Sequence, residues 1–111
     1  MFCKNTKTIF RNSNGQISYC KKCKIYFINF NNILLELYIE ELMYLRDLIL
    51  NQEEWVARNK KLIKTETIPI PTFQENLILL FDKNQIEEFK ELLFMKKLSN
   101  KIFTHYDYSL N

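Results

Sequence analysis

The chain has 111 residues, of which 47% are hydrophobic and 26% charged, and its formal net charge is +3. A chain of this length can bury one core without a disulfide or a metal, so we expect one domain. Apolar stretches such as residues 77–81 fall far short of the roughly 20 residues that cross a bilayer. The first residues lack an apolar leader segment, so we expect cytoplasmic residence and no membrane partner.

Enzymatic activity finds little support in the residue inventory. Gly15 is the only glycine, which excludes the Gly-rich loops that hold nucleotide phosphates. His105 is the only histidine, and no G-x-S-x-G motif accompanies it. The adjacent acids Glu40/Glu41 and Glu87/Glu88 suit the first turns of helices, where the helix dipole explains them. We therefore expect a protein that is not an enzyme.

Charge is distributed unevenly along the chain. Residues 1–35 contain no acid, whereas residues 36–54 contain six acids and one cation, Arg46. The cations of the first section are Lys4, Lys7, Arg11, Lys21, Lys22 and Lys24. The two sections can neutralise each other within the fold or across a homodimer.

Strand patterns dominate the first third of the chain. Residues 8–11 and 16–20 flank Asn14-Gly15, and Asn-Gly at the centre of a two-residue turn predicts a hairpin with Phe10 opposite Tyr19. A second hairpin joins residues 24–30 to residues 33–37 through the turn Asn31-Asn32.

In the second hairpin, period-2 alternation predicts six apolar side chains on one face, the expected core face. They are Tyr26, Ile28, Phe30, Ile33, Leu35 and Leu37. The opposite face carries Ile25, Phe27 and Leu34, which is more apolar than a solvated sheet face needs. Another element or a second copy of the chain is expected to cover it.

Two helices and another pair of strands complete the predicted elements. Residues 39–50 have helical spacing, and residues 51–61 extend that helix or form a short second one. Residues 67–72 are an edge strand marked by Pro69 and Pro71, and residues 76–82 are an apolar strand. A last helix runs to about Leu98, with Asn84 as its N-cap and Glu87 at N3.

The elements define an α+β fold: an antiparallel sheet built from hairpins, with two helices packed on one face. Residues 1–111 form a single domain, and residues 99–111 are a candidate tail. The segments 32–42 and 76–89 both run from an apolar strand into Ile-Glu-Glu, so a duplicated β-β-α unit is one interpretation. Shared secondary structure alone is the other.

Four short motifs stand out along the chain: Cys20-x-x-Cys23, Phe30-Asn31-Asn32, Pro69-Ile70-Pro71-Thr72 and Gln74-Glu75-Asn76-Leu77. Together they resemble the motifs of a family of small, uncharacterised proteins from Bacteroidetes-type bacteria. The resemblance covers nearly the whole chain. It implies no activity and no cofactor.

The cysteines are the one candidate for metal chemistry. Cys20 and Cys23 have the spacing of half a zinc knuckle and Cys3 offers a third thiolate, but tetrahedral zinc takes four donors. His105, Asp107, a water or a second subunit would supply the fourth. Reduced cysteines at a strand turn are the plainer interpretation, and a redox dithiol is disfavoured because no helix N-terminus follows. Zinc is therefore a candidate cofactor that folding does not require.

Two functions stay open from the sequence. The first is a non-enzymatic module that binds an unknown protein partner or itself, through Ile25, Phe27 and Leu34 or through the proline-marked edge. The alternative is a zinc-stabilised nucleic-acid-binding protein that uses Arg11, Lys21, Lys22 and Lys24 among the aromatic residues of the N-terminal hairpins. The sequence pI of about 8.7 is low for a dedicated nucleic-acid binder.

Overall fold

The computed structural model describes residues 5–59 and 67–98. In chain order these residues form β1 (Thr6–Asn12), β2 (Gly15–Cys20), β3 (Ile25–Phe30), β4 (Ile33–Leu37), α1 (Ile39–Arg58), β5 (Ile68–Pro71), β6 (Ile78–Phe81) and α2 (Lys83–Phe94). The first four strands make an antiparallel sheet in the order β1-β2-β3-β4, and β5 pairs with β6 in a separate antiparallel sheet. The predicted α+β class is confirmed, although the strands divide into two sheets.

The hairpin of β3 and β4 has the predicted register. Phe30 lies opposite Ile33, and Tyr26 lies opposite Leu37. Asn31 closes the turn with a φ of 54°, a left-handed conformation that asparagine tolerates better than most residues. The alternation of side chains therefore places the predicted core face toward the helices, with Ile28 and Phe30 fully buried.

The hairpin of β1 and β2 differs from the prediction in its turn and its register. The turn residues are Ser13 and Asn14, because Asn12 pairs with Gly15. Phe10 lies opposite Ile17 instead of Tyr19, and the register shifts between Thr8 and Phe10. Ile9 is the extra residue of this bulge, and such a residue leaves the ladder locally unpaired.

Gly15 is required by a close approach, not by the turn. Its φ is not positive. A Cβ at this position would collide with the backbone oxygen of Asn29 and would lie 2.9 Å from Cδ1 of Leu92. The backbone of the neighbouring strand β3 therefore lies too close here for any side chain, and this approach explains why glycine stands in the strand.

Both helices begin where the preceding strand ends. Glu41 accepts a hydrogen bond from the backbone N–H of Tyr38 at 2.8 Å, and α1 then continues to Arg58 as one helix. The N-cap of α2 is Asp82, two residues before the predicted Asn84. Asp82 and Gln85 exchange hydrogen bonds of 2.8 and 2.9 Å, and this capping box replaces the predicted box with Glu87.

One hydrophobic core joins the two sheets and both helices. The large sheet contributes its core face to it, and the small sheet contributes Ile70 and Phe81. Phe30, Phe81 and Phe89 form the centre, with ring centroids 5.0 to 5.4 Å apart. Both helices pack on the same face of the large sheet, as predicted, and β5 and β6 flank them.

A buried cation connects the two helices. The side chain of Lys90 is 1% exposed, and its Nζ lies 2.8 Å from Oε1 of Glu53 and 3.2 Å from Oε1 of Glu87. Burial raises the pKa of Glu53, and the hydrogen bond and charge of Lys90 oppose that rise without cancelling it. Arg46 is also buried, and its Nε donates to the backbone oxygen of Leu93 at 2.7 Å.

Some residues with a predicted role lie outside the described part of the chain. They are Cys3, His105, Asp107 and the candidate tail 99–111. Within residues 5–59 and 67–98, neither helix is long and apolar enough to cross a membrane.

Candidate docking surface and cavity of the small sheet

The predicted nucleic-acid residues do not form one patch. Lys21, Lys22 and Lys24 are exposed in the turn between β2 and β3. Arg11 is exposed as well, but it pairs with Gln16 near the opposite end of β2. At a rise of about 3.3 Å per residue, this places the Arg11 backbone more than about 13 Å from the lysine turn.

The Cys20-x-x-Cys23 turn is tightly formed. The backbone N–H of Cys23 donates to Sγ of Cys20 at 3.2 Å, and that of Lys24 donates to the carbonyl oxygen of Cys20 at 2.7 Å. Lys24 has a φ of 59°, which closes the turn in the left-handed region. Cys20 is buried and Cys23 is exposed.

The described residues supply at most half of a zinc site. Cys20 and Cys23 provide two thiols, and no group of three or more metal-binding side chains occurs within residues 5–59 and 67–98. Cys3, the third predicted ligand, lies outside those ranges. Zinc binding by Cys3, Cys20 and Cys23 therefore stays a prediction.

The predicted self-association face has little accessible surface. Phe27 is 3% exposed, and Ile25 and Leu34 are each partly buried. The expectation that this apolar face is covered agrees with that burial. Because buried side chains have little surface to give to another molecule, these three residues are a poor candidate for the contact between copies.

A group of exposed apolar side chains lies instead on the hairpin of β5 and β6. Ile68 and Ile70 point into the core, so period-2 alternation sends their neighbours outward. Pro69 pairs with Leu80 and Pro71 pairs with Ile78 on that outer face. Ile78 is 54% exposed and Leu80 is 62% exposed, and both prolines are exposed. We call these four residues the outer face.

The hydrogen-bond pattern shows which edge of this hairpin is open. The N–H of Thr72 bonds to the carbonyl of Leu77, so the backbone groups of the alternate residues Ile70 and Ile68 also face β6. The prolines between them have no N–H to donate to the ladder. The carbonyl of Pro69 points the other way and accepts from Nε2 of Gln52 on α1 at 2.8 Å. The backbone groups of Ile78 and Leu80 therefore point away from β5, and β6 pairs with no other described strand.

Edges of the other outer strands are protected by their residues. In the large sheet, β1 has a bulge at Ile9 and the charges of Lys7 and Arg11, and β4 carries Glu36. In the small sheet β5 has two prolines. Charges, bulges and prolines are the usual devices against edge-to-edge pairing, and β6 contains none of them.

An apolar cavity of about 270 Å³ lies beneath the same hairpin. Leu35 of β4 and Leu45 of α1 line one side, and Ile70 and Leu79 line another. The loop between β5 and β6 closes it with Thr72, Phe73, Gln74 and Leu77.

Sequence reasoning identified β5 as an edge strand and β6 as apolar, and both predictions hold. It missed the outer face because β6 reads as four consecutive apolar residues, a pattern typical of a strand buried on both sides. The available signal was the alternation in β5, since Ile68 and Ile70 cannot point inward unless Pro69 and Pro71 point outward.

Comparison with known proteins gives the family without an activity. No curated protein and no solved structure matches the chain. One family model does match, over residues 2–111, and its description is a family of unknown function, DUF6686. This agrees with the resemblance to an uncharacterised family of small proteins. Because the match covers nearly the whole chain, the protein belongs to the DUF6686 family.

Proposed function

We propose that this protein is a non-enzymatic, self-associating module whose β6 strands pair across a two-fold axis. The observation that carries the proposal is the edge of β6, where the side chains of Ile78 and Leu80 are exposed and their outward backbone groups pair with no other strand of the described residues. A two-fold interface uses the same patch on both copies, and an antiparallel pair of identical strands meets that condition.

The direction of the backbone groups limits the register of this pairing. An axis at Leu79 places Ile78 of each copy opposite Leu80 of the other. Both residues have outward N–H and C=O groups, so each such pair exchanges two hydrogen bonds. The exposed side chains of Ile78 and Leu80 then become direct cross-strand neighbours, and their mutual burial stabilises the dimer.

The oligomeric state of the full chain tests this proposal. We expect sedimentation equilibrium to show a monomer–dimer equilibrium that Leu80→Lys shifts to monomer. Each lysine would lie opposite Ile78 of the other copy, and the two cations would be diagonal neighbours on one face of the strand pair. Ile9→Lys is the matched control, since Ile9 is a strand residue that is 45% exposed and lies on a protected edge. Leu80→Pro removes the outward N–H together with the leucine side chain and should also give a monomer.

A monomeric wild-type chain at every accessible concentration would refute the proposal, as would a Leu80→Lys variant that dimerises like the wild type.

Nucleic-acid binding is a second candidate, favoured by the exposure of Lys21, Lys22 and Lys24 on one turn. Its support is smaller because Arg11 lies at the other end of the hairpin. Binding to a single-stranded oligonucleotide should fall steeply with salt, since neutralised phosphates release counterions. It should also be lost in Lys21→Glu/Lys22→Glu. Absence of binding at low salt would remove this candidate.

A further inference from the structure

The cavity beneath the β5–β6 loop has an uncharged lining. Six of its eight lining residues are apolar, and the other two are Thr72 and Gln74. An ionised ligand would give up its hydration here without gaining a partner charge, which is costly. The lining therefore selects against ions and in favour of neutral, apolar groups.

Of the two polar side chains that line the cavity, the loop itself already uses that of Thr72. The hydroxyl of Thr72 accepts from the backbone N–H of Gln74 at 3.1 Å and lies 2.8 Å from the carbonyl oxygen of Leu77, to which it donates. These bonds hold the loop in shape from within. The exposed side-chain amide of Gln74 is left as the polar group at the mouth, where it can bond one donor or acceptor of a ligand.

The mouth of the cavity presents apolar surface to solvent. Phe73 and Leu77 line the cavity and are still 48% and 47% exposed. The ring of Tyr44 packs against that of Phe73, with centroids 5.6 Å apart, and is itself 57% exposed. An apolar group bound behind such a mouth would gain dispersion contacts with the lining.

The volume sets the size of the bound group. An apolar cavity of about 150 Å³ lined by Leu, Ile and Phe stays dry and binds benzene, which has six non-hydrogen atoms. In proportion, the 270 Å³ of this cavity accommodates a molecule of roughly ten non-hydrogen atoms. We propose that the cavity is a binding site for a neutral, largely apolar small molecule of that size, such as a bicyclic aromatic, with its one polar atom at Gln74.

Indole is a suitable probe, because it is neutral, bicyclic and has one N–H donor. Titration of the full chain with indole, followed by methyl NMR, should give saturable shifts at Leu77 and Leu79. The expected dissociation constant is about 1 mM, in line with the affinity that so few atoms can supply. Indole-5-carboxylate, which has the same ring and a charge, should bind at least tenfold more weakly.

A matched pair of substitutions on β4 locates the binding. Leu35→Trp extends into the cavity and should weaken indole binding at least tenfold. Leu34→Trp is the control, because adjacent strand residues point to opposite faces and Leu34 does not line the cavity. Leu45→Phe fills the space from α1 and serves as the second variant if Leu35→Trp does not fold.

The outcome is independent of dimerisation. Leu80→Lys disrupts the proposed β6 contact but lies on the outer face, so it should leave the affinity for indole unchanged. The inference is overturned if indole produces no saturable shifts, if the carboxylate binds equally well, or if the folded filling variants bind indole like the wild type.

Discussion

The ion pairs of Lys90 allow a prediction about which partner the fold depends on. The side chain of Lys90 is 1% exposed, whereas those of Glu53 and Glu87 are 23% and 40% exposed. Removing both carboxylates as Glu53→Gln/Glu87→Gln leaves a buried cation with no opposite charge. Removing the cation as Lys90→Met leaves two carboxylates that water can reach. The two changes break the same ion pairs but should differ widely in cost.

The magnitudes follow from the cost of burying a charge. An uncompensated buried charge destabilises a protein by about 3–5 kcal/mol, so the double glutamine variant should lose about that much. Replacement of a buried ion by an apolar side chain of similar length is often neutral or stabilising, so Lys90→Met should stay within about 1 kcal/mol of the wild type. Native stabilities are only about 5–15 kcal/mol, so the first change is large and the second small.

Urea unfolding followed by circular dichroism measures both variants. With a slope of roughly 1–3 kcal/mol per molar urea, the double glutamine variant should unfold at least about 1 M earlier than the wild type. All measurements need one protein concentration, because the proposed dimerisation would add to apparent stability. If Lys90→Met costs as much as the double variant, the reasoning from exposure is refuted, and the lysine would contribute net stability through its ion pairs.

Four further predictions rest on single contacts. Burial raises the pKa of Glu53 above its ordinary value of 4.5, so the stability that Glu53 contributes is present below pH 4.5 and is lost as the pH rises through the folded pKa. The free energy of unfolding of the wild type should therefore gain on that of Glu53→Gln as the pH falls toward 4.5, and parallel profiles would contradict this. Gly15→Ala should cost about 1–3 kcal/mol in urea unfolding, because its Cβ has no space, and a neutral effect would show that the strand shifts freely. Asp82→Ala should cost about 1 kcal/mol and Asn84→Ala close to nothing, since Asp82 is the observed N-cap; equal costs would contradict that assignment. For the cysteine hypothesis, elemental analysis of the reduced protein should find about one equivalent of zinc that Cys23→Ser releases, and less than about a tenth would end it.

Local sequence patterns were sufficient for the type and order of the elements. The alternation of residues 25–37 and the turn Asn31-Asn32 predicted the hairpin of β3 and β4 in its observed register. The start of α2 and the first turn were each predicted one or two residues away from their observed positions, because a similar local pattern lies beside each of them. Asp82-x-x-Gln85 competes with Asn84-x-x-Glu87 for the start of α2, and Asn14-Gly15 competes with Ser13-Asn14 for the first turn. In the second case Gly15 belongs to β2 and pairs with Asn12, and a Cβ at position 15 would collide with the backbone oxygen of Asn29 on the neighbouring strand.

The sequence by itself therefore determined the α+β class, the strand–strand–helix order of each half, and which face of β3 and β4 enters the core. Those properties depend on side-chain period and on hydrogen bonds between near neighbours. Only the tertiary structure decided that Phe27 is buried while Ile78 and Leu80 are exposed, and that Lys90 is enclosed between two acids. Exposure depends on which distant element covers a surface. Two apolar strands with similar local patterns, β3 and β6, can thus have opposite roles, one in the core and one at a candidate interface.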